Sequence, residues 1–82
     1  MNLVKTLSRL GDLATLQDGW HDGEGVAPAR ETVSLARQMI MFADEQMYFN
    51  EVSIFPLFEG GIELVFHAGP NDYELEYRND LV

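Results

Sequence analysis

The sequence predicts an α+β fold, two N-terminal helices packed on one face of a three-stranded antiparallel meander. Three observations carry this reading. Apolar residues recur at three- and four-residue steps up to Met47, which is the helix period. From Val52 the period changes to two, as in half-buried strands. Glu59-Gly60-Gly61 and Ala68-Gly69-Pro70-Asn71 are turn signals that divide the second part into three. Three strands need a cover on one face for independent stability, and the helices supply it.

The first helix is expected over residues 2–16. Leu3, Leu7, Leu10, Leu13 and Leu16 line one face, and Lys5, Ser8, Arg9 and Asp12 the other. Asn2 suits the N-cap. Gly11 weakens the helix without stopping it. The run Asp18-Gly19-Trp20-His21-Asp22-Gly23-Glu24-Gly25 reads as an irregular loop with several positive φ angles, and Trp20 as a core anchor.

The second helix is expected over residues 28–47. Pro28 sits at a first-turn position and Glu31 suits the dipole. Val33, Ala36, Ile40, Ala43 and Met47 form one stripe, with Leu35, Met39 and Phe42 beside it, so this helix should be largely buried. Strands are expected at 52–58, 62–67 and 73–78. Pro56 implies an edge strand or a bulge. A turn spanning Ala68 to Asn71 places Leu64 opposite Leu75 and Phe66 opposite Tyr73. The same register sets Glu63 opposite Glu76 and Val65 opposite Glu74. The 82 residues, 1–82, form a single domain.

Charge is the strongest functional signal. The net charge is −9. From Ala43 onward stand nine acids (Asp44, Glu45, Glu51, Glu59, Glu63, Asp72, Glu74, Glu76, Asp80) against one base, Arg78. Such an imbalance repels itself and sets up a field that attracts basic partners. Glu74 and Glu76 should lie roughly 6.8 Å apart along one strand face. With Glu63 beside them and Asp72 and Asp80 extending the line, the array resembles a row of phosphates. Solubility alone also favours surface acids, although interspersed lysines would serve it equally. Phe55 and Leu57 alternate with Val52 and Ile54, so either one pair faces away from the helices and adds apolar contact, or a bulge at Pro56 turns that pair inward.

Other chemistries find less support. Cysteine is absent, which removes disulfides, thiol nucleophiles and thiolate zinc sites. Asp18, Asp22 and Gly23 fit part of a calcium loop, but Trp20 and Ala29 occupy ligand positions, so no metal is expected. His67 could meet Asp72 across the hairpin, and such a pair can orient a general base. Ser8, Ser34 and Ser53 lie in unremarkable settings, no Gly-x-Ser-x-Gly is present, and an ordinary ion pair is expected. Glu63 and Glu76 could mimic a glycosidase pair, but so small a sheet offers no evident sugar cleft. No catalytic residue, cofactor site or enzyme activity is therefore expected. Lys5, Arg9, Arg30 and Arg37 are too few for direct nucleic-acid binding. No stretch approaches the ~20 apolar residues of a membrane span, and no signal peptide is read. A cytoplasmic protein of a bacterial host cell is expected.

Gly19-Trp20-His21-Asp22-Gly23-Glu24-Gly25-Val26-Ala27-Pro28 and Glu59-Gly60-Gly61-Ile62-Glu63-Leu64-Val65-Phe66 resemble a pattern in small uncharacterised bacterial and phage domains. Those domains carry a Gly-Trp-Asp-Gly-type loop before a helix and then a Gly-Gly-Ile-x-Leu hairpin. His21 interrupts the usual Trp-Asp step, and Phe66 replaces an aromatic that is often Trp. The resemblance implies a fold and no chemistry. In size, acidity, lack of Cys and helix-then-sheet order the chain is also similar to phage anti-CRISPR proteins, some of which mimic DNA. That resemblance implies a non-enzymatic inhibitor of a basic, nucleic-acid-handling partner such as a CRISPR-Cas surveillance complex. An antitoxin or immunity partner of a basic toxin, and a self-associating oligomerisation module built on Phe55 and Leu57, are the alternatives.

Overall fold

The computed structural model describes residues 1–46 and 49–81. The chain forms helix α1 (Leu3–Ala14), helix α2 (Arg30–Gln46), strands β1 (Glu51–Pro56), β2 (Gly61–Ala68) and β3 (Asn71–Arg78), and a closing 3-10 turn, Asn79–Leu81. The sheet order is β1-β2-β3, antiparallel throughout. This is the α+β arrangement the sequence predicts. Met47, the last residue of the predicted stripe, lies outside the described residues.

α1 starts where expected. The Asn2 side-chain oxygen accepts from the Lys5 amide at 3.1 Å, satisfying one of the orphan donors of the first turn. Leu10 and Leu13 are buried, and Leu3, Leu7 and Leu16 pack against them. The helix ends at Ala14, because the Thr15 amide and hydroxyl both donate to the Asp12 carbonyl.

α2 begins two residues later than predicted. Pro28 precedes the helix, and the Ala29 carbonyl accepts its first bond, from the Val33 amide at 3.0 Å. Ala29 has no side-chain acceptor, so its own sequence offers no cap. Asn79, from the far end of the chain, supplies one. Its Oδ1 accepts from the Ala29 amide at 2.9 Å and from the Thr32 hydroxyl at 3.0 Å, while its Nδ2 donates to the Ala27 carbonyl at 2.9 Å. Thr32 is fully buried and is satisfied by this contact. Thr32, Ala36, Ile40 and Ala43 form the buried line of α2. Phe42 is 54 % exposed, which corrects the wider buried arc expected.

α1 packs over β1, and α2 over β2 and β3. Val52, Ile54, Ile62, Leu64 and Phe66 fill the inner face under them, with Leu75 and Tyr77 at its border. The predicted β2–β3 register holds: Glu63 pairs with Glu76, Leu64 with Leu75, Val65 with Glu74, and Phe66 with Tyr73. β1 ends at Pro56, two residues short of the prediction, and Leu57 and Gly60 close a turn by a 2.9 Å bond. Gly61 opens β2 at φ 139°, where a Cβ would run into the Tyr77 carbonyl. The hairpin between β2 and β3 is tighter than expected, with Gly69 and Pro70 alone in the loop. Pro56 sits on an edge strand without a bulge. The Ile54 carbonyl, two residues earlier, points away from β2 and accepts from Arg9 Nε at 3.3 Å. Pro56 shares that outward row, so its missing amide hydrogen removes no ladder bond.

The loop between the helices is a small hairpin in its own right. His21 and Glu24 exchange backbone bonds of 2.7 and 2.9 Å around Asp22-Gly23, both at positive φ. Trp20 lies outside the buried core cluster, contrary to the expected anchor role. Its indole N–H donates to the Val26 carbonyl at 2.9 Å, so it pins the loop on itself.

Candidate docking face on the outer side of the sheet

Alternation along the strands sends one set of side chains away from the helices. Register then stacks them in rows across the sheet. Glu51, His67 and Asp72 form one row; Ser53, Val65 and Glu74 the next; Phe55, Glu63 and Glu76 a third. Gly61 and Arg78 close the face. Directly opposed side chains have Cβ atoms about 4.5–5.5 Å apart. Glu63 and Glu76 are such a pair, and Glu74 is diagonal to Glu63.

The consequence is visible at Glu63. It is half-buried between its neighbours. Burial pushes its carboxyl above the ordinary carboxylate range, and the Glu74 and Glu76 charges push it further. Glu51, Glu74 and Glu76 are exposed. Burial also raises the Tyr77 hydroxyl on the inner face.

Of the seven residues singled out from the sequence, Glu63, Glu74, Glu76, Asp72 and Phe55 share this face. Phe55 is 46 % exposed and stands directly opposite Glu63. Two others lie outside the strands. Leu57 follows the end of β1, its amide donating to the Gly61 carbonyl at 3.0 Å and its side chain lying near Gly61. Asp80 lies in the 3-10 turn, and Arg78 neutralises it across 3.3 Å while also reaching Glu59 at 3.9 Å. Asp72 is engaged as well, with its Oδ1 2.8 Å from His67 Nδ1. The carboxylates of this face without an ion-pair or histidine contact among the described residues are thus Glu63, Glu74 and Glu76, joined by Glu51, which falls within β1 rather than before it.

Ser53, expected in an unremarkable setting, instead has its Oγ 2.9 Å from His67 Nε2. Only the β1–β2 register, which depends on the turn length, reveals this diagonal contact. Among the described residues, no group of three His, Cys, Asp or Glu side chains is placed to hold a metal ion. No described helix is long and apolar enough to cross a membrane. Comparison with protein-family models, curated proteins and solved structures finds no match to this chain.

Proposed function

We propose that the outer sheet face docks onto a basic protein surface that handles nucleic acid, and that the protein acts there as an acidic decoy, inhibiting by occupancy. The observation that supports this most is the opposed pair Glu63 and Glu76 with Glu74 beside them. Like charges directly across a sheet are destabilising. A partner rich in arginine relieves that repulsion on binding and forms charge-assisted hydrogen bonds to each carboxylate. Phe55, at the end of the same row, adds apolar area and a ring face for a guanidinium. Electrostatic attraction speeds the encounter and weakens with salt.

A DNA-binding channel is such a surface, and a CRISPR-Cas surveillance complex, of the kind phage inhibitors block, is the first target to test. The purified complex is offered labelled target duplex DNA with and without this protein. Displacement of DNA by the protein, weakened by raising salt, supports the reading. DNA loading unchanged at saturating protein removes this target. Neutralisation of a co-expressed basic toxin would instead favour an immunity role for the same face.

A further inference from the structure

The outer face also holds a hydrogen-bonded chain that the docking role does not use. The Asp72 carboxylate is acceptor-only when ionised, so His67 Nδ1 must be the protonated nitrogen in the 2.8 Å contact. In the neutral imidazole this leaves Nε2 as an acceptor. The partner of Nε2 is the Ser53 hydroxyl, at 2.9 Å, and it therefore donates to the ring. A serine hydroxyl aimed at Nε2 of a histidine whose Nδ1–H is held by a carboxylate is the connectivity of an activated nucleophile.

The surroundings of Ser53 are asymmetric. On one side lie His67, Asp72 and the acids of β3. On the other, Ser53 lines a groove of about 290 Å³ between α1 and β1, together with Lys5, Arg9, Glu51 and Phe55. Arg9 already reaches the Ile54 carbonyl along that edge. A groove of this size has room for a small carbonyl compound beside Ser53.

We propose that Ser53, His67 and Asp72 form a nucleophilic centre that accepts an acyl group from a small carboxylic ester. Ser53 Oγ attacks the carbonyl carbon and gives its proton to His67 Nε2. The ester C–O bond breaks, and the departing alkoxide takes that proton and leaves as the alcohol. Water, deprotonated by His67, then attacks the acyl carbon; the acyl–Ser53 bond breaks, His67 returns the proton to Ser53 Oγ, and the acid is released. Asp72 is a positioning residue, holding the ring tautomer. This site goes beyond the docking role and does not depend on it.

The test uses the full chain and a fluorophosphonate probe, which traps an activated serine by forming an Oγ–P bond as fluoride leaves. Intact mass and peptide mapping are expected to find one adduct, on Ser53. Ser53→Ala should abolish it. His67→Gln should slow it by about 100-fold, the usual scale of a lost general base. In His67→Ala, added imidazole should restore labelling, which a purely structural histidine would not allow. Circular dichroism confirms that each variant is folded. Absence of a Ser53 adduct in the wild type overturns the proposal. So does equal labelling of Ser53 in His67→Gln.

Discussion

Asn79 holds the buried hydroxyl of Thr32 at 3.0 Å across 47 positions of chain. The same side-chain oxygen caps Ala29, and the amide nitrogen binds Ala27. The last turn of the chain thereby fastens the start of α2, and the Asn79 amide adds a 3.1 Å bond to the Gly60 carbonyl. β3, one of the three strands of the candidate docking face, leads into this turn.

Asn79→Ala should therefore destabilise the fold by about 2 kcal/mol, combining a lost cap with a buried hydroxyl left unpaired. Adding Thr32→Val to Asn79→Ala should cost less than the two single losses together, because the hydroxyl that needed a partner is gone. Urea denaturation of the four proteins measures this. Strict additivity would show that the contact has no energetic coupling.

Gly25 sits at φ 95°, with a substituent Cβ falling 2.9 Å from the Trp20 ring. Gly25→Ala should open the Trp20 loop at a cost of about 1–3 kcal/mol, the scale of a non-glycine residue forced into strained backbone. Trp20 is the one tryptophan, so its fluorescence reports the change directly. A red-shifted emission with unchanged far-ultraviolet circular dichroism is expected. An unshifted emission would contradict the packing.

The raised Glu63 carboxyl makes a prediction with a definite sign. A group whose folded pKa exceeds its unfolded value adds stability below the unfolded value, about 4.3, and loses it as pH rises through the folded value. At pH 7 Glu63 is therefore unfavourable. Glu63→Gln should stabilise the protein at pH 7 by roughly 0.2–1 kcal/mol, the scale of a cross-strand like-charge pair. At pH 3 the gain should vanish. Equal gains at both values would show that charge is not the cause.

Salt should act in the same direction. Raising ionic strength from about 0.01 to 1 M shortens the screening length from about 30 to 3 Å. Repulsion among Glu63, Glu74 and Glu76 should fall, and the melting temperature should rise. In the Glu63→Gln variant the rise should be smaller.

Much of this architecture is legible from side-chain period. The alternation from Ile62 to Arg78 and the short turn at Gly69 determine the β2–β3 register, and with it the Glu63–Glu76 pair. What escapes is non-local. The turn after β1 closes between Leu57 and Gly60, which takes Leu57 out of the strand and sets Ser53 diagonal to His67. Asn79 looks like an ordinary residue near the chain end, and nothing local marks it as the cap of a helix that starts at Arg30. Asp80 belongs to the acidic run by sequence, yet a turn just past β3 hands it to Arg78. Period describes which face a residue occupies, whereas these three features depend on which segments meet.

Docking should depend on the position of the negative charge, beyond its amount. Two double variants separate these: Glu74→Lys with Glu76→Lys on the outer face, and Asp12→Lys with Glu45→Lys on the helical layer, all four residues being exposed. Both change the net charge equally. Displacement of duplex DNA from the surveillance complex should be lost in the first pair and retained in the second. Equal loss in both, or retention in the first, would contradict a docking face on the sheet.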